Sequence, residues 1–316
     1  MDIPHGSGWI RPRALRPGDL IGVCAPSGFV DGERLERGVR ELEGLGFRVR
    51  VPEGALSRSR FTAGSAARRR AELEALFAAE DVAGIVCARG GAGAGALLRE
   101  IDRNCLAANP KLFVGYSDVT AVHLLLNRLR LVSVHGPMLA RDLAAGSYHE
   151  ASLRHALTGA GKPYRAPAGQ LEGILVGEAE GVLVGGCLSL LASAAGTPWA
   201  LDPSIDDVVL LVEDVAEPAY RIDRMLQQLG DSGALDNVRG VVFGTLPGCH
   251  APEGADYTVS DVIRGVLERL GIPVARGLPT GHAERGGVSL PLGVRARLRV
   301  EATGIAEFSV LERGVA

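Results

Sequence analysis

Apolar and polar positions along the first half of the chain follow a pattern typical of strands that alternate with helices. The continuous apolar run 20–25 ends at a Pro-Ser-Gly turn, as expected for a buried parallel strand. Apolar residues at helical spacing follow over 35–45, and Gly46 ends this predicted helix before a strand over 47–51. The same alternation predicts further helices over 68–77, 95–101 and 119–129, and further strands over 82–88, 111–116 and 131–134.

Strands that alternate with helices indicate a doubly wound parallel sheet, whose ligand crevice lies at the carboxyl ends of its strands. The segment 158–169 is rich in glycine and proline and has no apolar periodicity, so we predict a linker there. Residues 1–157 would then form an N-terminal α/β domain, and residues 170–316 a second, mixed α/β domain. In the second domain the pattern predicts strands over 181–184, 208–212 and 238–243, helices over 188–194, 221–229 and 260–270, and a closing pair of strands over 294–300 and 307–311.

Composition narrows the class of protein. The chain has 316 residues, 47% hydrophobic and 22% charged, which suits two globular domains, and its net charge of −3 argues against nucleic-acid binding. It contains no apolar run of membrane-spanning length, and residues 1–6 lack the pattern of a signal peptide, so we expect a cytoplasmic protein. Five cysteines without a C-x-x-C pair are predicted to be buried free thiols. The basic run 68–70, followed by two glutamates, is predicted to be a solvated helix face.

Ser117 lies at the corner where an apolar strand-like run meets an apolar helix-like run. A hydroxyl on such a turn projects from the end of a sheet beside free backbone N–H groups, which suits nucleophilic attack on a carbonyl. A serine in this position is also a favoured helix cap, and the local spacing alone favours the cap. The stretch lacks the full Gly-x-Ser-x-Gly pattern, because Val119 stands where the second glycine would be.

The glycine-rich turn 89–96 lies between a predicted strand and a predicted helix, where backbone N–H groups can face an anion. Its segment 91–96 spells G-x-G-x-x-A, so a nucleotide-binding protein that uses Gly90 to Gly95 for NAD or FAD is one hypothesis. The turn is not the first strand-to-helix turn of the chain, and no acid for a ribose follows at the usual distance. The other hypothesis is that this loop supplies an oxyanion-hole donor beside Ser117.

A serine nucleophile needs a base and an orienting acid. Among seven histidines, His135 at a predicted strand end and His282 in a Gly-rich turn are the two candidates for the base, although each also suits a structural or surface role. His123 lies within the helix that Ser117 opens and is predicted to pack among leucines. For the acid, the apolar strand 208–212 runs directly into Glu213, which could equally be a solvated strand end.

Taken together, these motifs resemble the LD-carboxypeptidases of bacterial cell-wall recycling, serine peptidases of family S66. The resemblance spans almost the whole chain. It is carried by Arg16-Pro17-Gly18-Asp19, Arg89-Gly90-Gly91, Gly115-Tyr116-Ser117-Asp118, His135-Gly136-Pro137-Met138, Gly185-Gly186-Cys187, Leu211-Val212-Glu213-Asp214, Tyr220-Arg221-Ile222-Asp223-Arg224 and Gly281-His282.

The resemblance implies that Ser117 is the nucleophile, Glu213 the orienting acid and His282 the base. The backbone amides of Asp118 and Gly91 would then hold the oxyanion. It further implies a flavodoxin-like N-terminal domain, a smaller β-rich C-terminal domain, a triad assembled across the cleft between them, and a homodimer. No metal or organic cofactor is expected.

Substrate contacts are expected at Gly90, Tyr116 and Cys187. Two positions depart from the family pattern: Ala92 stands where relatives often have tyrosine, and Cys187 where many have asparagine. The expected substrate is a murein tetrapeptide, from which the enzyme would remove terminal D-alanine. Relatives of the microcin C self-immunity type instead cleave aminoacyl-sulfamoyl-adenylate or a related aminoacyl nucleotide, and this alternative stays open.

Overall fold

The structure, a computed structural model, describes residues 8–316, so the expectation for residues 1–6 and the tail histidine His5 lie outside the described residues. The strands in this part of the chain are β1 (Leu20–Cys24), β2 (Arg48–Arg50), β3 (Val82–Cys87), β4 (Leu112–Gly115), β5 (Ser133–His135), β6 (Leu171–Leu175), β7 (Gly177–Cys187), β8 (Val208–Glu213), β9 (Val238–Gly244), β10 (Val274–Leu278), β11 (Leu290–Leu292), β12 (Arg295–Val300) and β13 (Ile305–Val310). The α-helices are α1 (Gly32–Gly44), α2 (Ala66–Ala78), α3 (Arg103–Ala108), α4 (Thr120–Arg128), α5 (Glu150–Thr158), α6 (Leu188–Ala194), α7 (Ala219–Asp231) and α8 (Val259–Leu267).

The first sheet has the strand order β2, β1, β3, β4, β5, all parallel, which is the flavodoxin-like order. Strands β1, β3 and β4 are buried along their whole length, because helices cover both faces of the sheet and every position faces apolar neighbours. The doubly wound parallel sheet that the sequence pattern predicts is therefore confirmed.

The second half of the chain closes into a seven-stranded barrel in the order β10, β6, β13, β12, β7, β8, β9. Strands β7 to β10 pair in parallel, whereas β6, β12 and β13 pair antiparallel with their neighbours. The predicted closing pair is confirmed as the hairpin of β12 and β13. A β-rich second unit is thus also confirmed.

The two units share packed surfaces. Strand β11 follows the barrel strand β10 in sequence, yet it pairs antiparallel with β5 and so forms the edge of the first sheet. Leu124 of α4 packs in the same apolar cluster as side chains of α6, α7 and α8. The carboxyl ends of the first sheet therefore lie against the barrel.

Several elements differ from the sequence-based predictions. The predicted helix over 95–101 is only a short 3-10 turn, Ala94–Leu97, because the glycines before it favour an irregular loop. Strands β6, β10 and β11 and helix α5 were not predicted, since these short segments have no strong apolar run or periodicity.

The five cysteines are free thiols: Cys24, Cys87 and Cys187 are buried, and the other two are partly exposed. The prediction of buried thiols is thus confirmed for three of them. Among the described residues, no helix is long and apolar enough to cross a bilayer.

Candidate active site

Ser117 occupies the sharp turn between β4 and α4, with a backbone φ of +64°. The left-handed region costs a non-glycine residue about 1–3 kcal/mol, and such strain is concentrated at functional sites. The 3-10 turn that begins here and α4 both start without a side-chain cap. The serine hydroxyl therefore does not serve as a helix cap, which removes the alternative that local spacing favoured.

Ser117 and His282 line one open cavity of about 570 Å³ at the carboxyl ends of the first sheet. The N-terminal unit supplies most of its wall, and the barrel side supplies His282 and Val215. The remaining lining residues are Asp31, Arg34, Arg89, Gly90, Gly91, Met138, Ala140 and Arg141. Ser117 and His282, the expected nucleophile and base, thus come from the two halves of the chain and line the same space.

Gly90 lies directly against Ser117. A Cβ atom at this position would stand 2.8 Å from the Ser117 Cβ and 2.9 Å from its Oγ, closer than side chains pack. The Gly90 carbonyl accepts a hydrogen bond from the backbone N–H of Gly28 at 3.0 Å, which ties the turn to the loop after β1. Glycine is therefore required here for the loop to approach the serine.

The buried carboxylate of Asp118 binds the backbone of the glycine-rich turn. Asp118 Oδ2 accepts a hydrogen bond of 2.8 Å from the backbone N–H of Ala94. Arg69 lies beneath the same turn, only 3% exposed, and donates hydrogen bonds to the carbonyls of Pro26 and Gly93. The prediction of a solvated face is wrong for Arg69, because its guanidinium satisfies loop carbonyls that no helix or strand pairs. The amide of residue 94 binds a protein carboxylate, which disfavours a nucleotide phosphate at that point.

Glu213, the last residue of β8, binds His282 through a single oxygen. Its Oε2 accepts hydrogen bonds from His282 Nδ1 at 2.6 Å and from the His282 backbone N–H at 3.2 Å. This arrangement places the ring proton on Nδ1 and leaves Nε2 as a proton acceptor. Glu213 is 1% exposed, so the pair lies in a low-dielectric environment.

The ionised form of Glu213 is strongly stabilised. Burial acts to raise the pKa of this carboxyl, but the neighbouring His135 and His282 imidazoles, including the hydrogen bond from His282, outweigh burial and lower the pKa to about 2. Glu213 is therefore a carboxylate at neutral pH.

The barrel is aligned on the serine corner by a contact between β7 and α4. The backbone N–H of Cys187, which lies beside Glu213 in the β7–β8 register, donates a hydrogen bond of 3.0 Å to Thr120 Oγ1. Thr120 is the first residue of α4, three residues after Ser117. The hydrogen bond between Cys187 and Thr120 thus positions Glu213, at the end of β8, relative to Ser117.

Tyr116 and Cys187, where substrate contacts were expected, are both buried and do not line the cavity. Tyr116 donates a hydrogen bond of 3.1 Å to Asp142, and its ring meets His282 edge-on with centroids 5.1 Å apart. Burial, together with the charges of Glu213 and Asp214, raises the pKa of the Cys187 thiol well above its usual value. Both residues support the site rather than contact its open space, whereas Gly90 does line the cavity.

Among residues 8–316, no histidine other than His282 lines the cavity. His123 is fully buried, bonded to the Gly115 carbonyl and to Ser133 Oγ, and meets Phe113 edge-on, in accord with the predicted packed role. His135 is also fully buried and does not reach the cavity, but its Nε2 lies 3.8 Å from Glu213 Oε1. His135 therefore lies next to Glu213 and not next to Ser117.

Sequence reasoning missed the charged rim of the cavity, formed by Asp31, Arg34 and Arg141. Asp31 caps α1 by accepting a hydrogen bond of 2.9 Å from the Arg34 backbone N–H, and it follows the loop after β1. Because the carboxyl ends of parallel strands form ligand sites, the position of Asp31 and Arg34 just beyond β1 was a usable signal. Arg141, in the irregular turn after β5, had no such signal.

Comparison with known proteins gives a consistent result. Two family models match the chain: the LD-carboxypeptidase N-terminal domain over residues 21–136 and the LD-carboxypeptidase C-terminal domain over residues 180–298. A probable murein peptide carboxypeptidase of Bacillus subtilis is 33% identical over 309 residues, which cover 96% of each chain.

Two kinds of solved structure resemble this chain. The muramoyltetrapeptide carboxypeptidase from Oxalobacter formigenes is 31% identical with a TM-score of 0.79, and the match covers 93% of this chain and 99% of that one. The microcin C7 self-immunity protein MccF, solved in complex with glutamyl sulfamoyl guanosine, gives a TM-score of 0.85 at 22% identity. The match covers 97% of this chain and 99% of that one. At 22% identity, the likeness to MccF shows a shared fold and nothing more.

Proposed function

This chain belongs to the LD-carboxypeptidase family, and on that premise we propose that it is a serine carboxypeptidase that releases terminal D-alanine from murein tetrapeptides. The bond cleaved joins an L centre to a D residue. The observation that carries the proposal is that Ser117 and His282 line one cavity while Glu213 accepts the Nδ1 proton of His282.

In the proposed mechanism, His282 acts as the general base. With its Nδ1 proton donated to Glu213, the Nε2 lone pair is available to take the proton of Ser117 as the hydroxyl attacks the terminal peptide carbonyl. The imidazolium that forms is stabilised by the Glu213 carboxylate. Because both side chains are buried, solvent does not screen this attraction between the imidazolium and the carboxylate.

The tetrahedral intermediate then needs donors for its oxyanion. We assign this role to the backbone amides of Asp118 and Gly91, and loss of one such donor typically lowers the rate by about 10²–10³. His282 next gives its proton to the leaving amine, and D-alanine departs. Water activated by the same base hydrolyses the acyl group on Ser117.

The charged rim supports an anionic peptide as substrate. Three arginines, Arg34, Arg89 and Arg141, line the cavity against a single acid, Asp31. Arg34 and Arg141 expose guanidinium groups that suit the carboxylates of a murein peptide, whereas Arg89 also donates hydrogen bonds to the carbonyls of Phe29 and Gly90.

The direct test is hydrolysis of a purified murein tetrapeptide, followed by mass spectrometry of the tripeptide and enzymatic detection of free D-alanine. A tetrapeptide ending in L-alanine is the matched control and should not be cleaved. Activity is expected to survive a chelator, because the mechanism uses no metal or organic cofactor. Absence of D-alanine release would contradict the proposal.

An aminoacyl sulfamoyl nucleoside is the second substrate to assay, because MccF was solved with such ligands. The likeness of this chain to MccF carries only the fold, so the murein peptide remains the proposed substrate. Faster cleavage of the nucleotide analogue than of the tetrapeptide would reverse this order.

The organisation of the protein is also proposed. We propose N-terminal and C-terminal domains over 1–157 and 170–316 joined by a linker over 158–169, which the glycine- and proline-rich composition of that segment supports. We also propose a homodimer and a cytoplasmic location, which the family resemblance supports. Limited proteolysis tests the linker, light scattering the oligomeric state, and cell fractionation the location. A monomeric mass in solution would contradict the dimer.

A further inference from the structure

Glu213 lies between two histidines and uses a different oxygen toward each. Its Oε2 accepts both hydrogen bonds from His282, whereas Oε1 has no hydrogen-bond partner among the described residues. His135 Nε2 lies 3.8 Å from Oε1, and it too has no hydrogen-bond partner in that part of the chain. Both residues are at most 1% exposed. Two buried polar atoms that lack a hydrogen-bond partner among the described residues thus lie 3.8 Å apart.

The other side of the His135 ring determines where its protons lie. Thr280 Oγ1 is 3.2 Å from His135 Nδ1 and 2.9 Å from the Val288 carbonyl oxygen. The hydroxyl has one proton. When it donates to Val288, it accepts from Nδ1–H; when it turns toward Nδ1, that nitrogen is bare and the ring proton is on Nε2.

A neutral ring with its proton on Nδ1 would direct the Nε2 lone pair at a carboxylate oxygen, which is electrostatically unfavourable in a buried site. The remaining states are the imidazolium, with Thr280 donating to Val288, and the neutral Nε2–H ring, with Thr280 donating to Nδ1. In both states Nε2 carries a proton that faces Glu213.

We propose that His135 is a positioning residue whose Nε2–H holds Oε1 of Glu213, so that Oε2 stays aligned on His282. This inference rests on the proposed roles of Ser117, Glu213 and His282. His135 acts through the acid and touches no substrate, because it does not line the cavity. The acid–base pair thereby becomes a chain of three residues, ordered His282, Glu213, His135.

The surroundings of His135 hold few other titratable groups. The Tyr116 ring lies 5.8 Å away, and its hydroxyl is bonded to Asp142. The His123 ring lies 6.5 Å away, and burial lowers its pKa to about 3, so it is neutral. Burial raises the pKa of Tyr116, so that phenol is neutral as well. Glu213 is therefore the negative charge that His135 contacts directly.

Two amide substitutions separate the two ring nitrogens. In His135→Gln the side-chain NH₂ replaces Nε2–H and can still donate to Glu213. In His135→Asn it replaces Nδ1–H and reaches only Thr280. We expect His135→Gln to retain kcat within about threefold, and His135→Asn to lose about ten- to a hundredfold, the scale for a hydrogen bond to a charged group. KM should change little in either variant.

The pH profile gives a readout that a purely structural role would not move. Without the His135 donor, the negative charge of Glu213 is no longer partly neutralised by His135. It then stabilises the protonated form of His282 more strongly. The acid limb of kcat/KM should therefore move to higher pH in His135→Asn and stay in place in His135→Gln. Equal loss in both variants, or a greater loss in His135→Gln, would overturn the proposal.

A measurement on the unmodified protein is independent of activity and of whether either variant folds. Long-range ¹H–¹⁵N spectra of the imidazole rings report which ring nitrogen is protonated, and through-space contacts to the Tyr116 and His123 rings, 5.8 and 6.5 Å away, assign the His135 ring in the unmodified protein. A protonated Nε2 supports the proposal, and a bare Nε2 with a protonated Nδ1 refutes it. If the enzyme failed to cleave the tetrapeptide, this spectrum would still decide the His135 contact.

Discussion

The Gly281 backbone lies directly against the Glu213 carboxylate, so that a methyl group on Gly281 would overlap the carboxyl group that holds His282. Gly281 also has a φ of +65°, a conformation that glycine adopts without strain. The hydrogen bond from the His282 backbone N–H to Glu213 depends on this approach.

We therefore expect Gly281→Ala to lower kcat by at least about a hundredfold, because the base and acid can no longer meet in this geometry. Gly286→Ala is the matched control. Gly286 lies in the same loop at a φ of +63° with open space around it, so its substitution adds backbone strain of about 1 kcal/mol and no overlap. Steady-state kinetics and thermal unfolding of both variants measure the difference. Equal activity of the two would contradict the placement of Glu213.

Substitution of Ser117 should affect the free energy of unfolding and the catalytic rate in different ways. Both Ser117→Ala and Ser117→Gly are expected to abolish turnover, because each removes the proposed nucleophile. Ser117→Gly should be more stable than Ser117→Ala by about 1 kcal/mol, since only glycine relieves the strain at a φ of +64°. Urea denaturation of both variants tests the strain, and residual cleavage by either one would exclude Ser117 as the nucleophile.

Asp118 should control the glycine-rich turn through its side chain as well as through its amide. Asp118→Asn keeps an oxygen that can accept from Ala94, whereas Asp118→Ala leaves that buried amide without its partner. We expect Asp118→Ala to lower kcat about tenfold or more, and Asp118→Asn to retain more activity. Both variants should be destabilised, because Arg69 lies nearby as a buried cation. Identical kinetics in the two variants would show that the carboxylate does not position the turn.

His123 should make the protein sensitive to acid. Burial lowers its pKa to about 3, below the value near 6.5 of an unfolded histidine. The unfolded chain thus binds this proton first, so stability is complete above about pH 6.5 and falls as the pH drops toward 3. Urea denaturation at pH 7, 6, 5 and 4 should show a steeper loss for the native protein than for His123→Gln. Parallel slopes would contradict the burial of a neutral ring.

Strand ends were the most informative feature of the sequence. The runs that end at Cys24, Gly115 and Glu213 are continuously apolar, because these strands are buried on both faces, and this property is visible without a structure. Ser117 and Glu213 could be selected because each directly follows or ends such a run. His282 depended on the family resemblance, since its Gly-rich turn has no periodicity.

The rest of the site depends on pairings between distant residues. Arg69 looks like a surface residue within a basic run, and only the folded loops reveal the carbonyls that it binds. The contact between His135 and Glu213 joins strands of two different sheets, which no local pattern encodes. Tyr116 is next to Ser117 in the sequence, but its side chain is buried between Asp142 and the His282 ring, which only the folded structure reveals.

The His282 loop is anchored in both sheets, since β10 belongs to the barrel and β11 is hydrogen-bonded to β5 in the first sheet. A hinge motion that separated the two units would have to tear β11 away from β5. Strand pairing on both sides of the loop therefore ties the position of His282 to the first sheet and to the barrel at once. A chain that ended just before β11 would keep His282 but lose the strand that ties its loop to the first sheet.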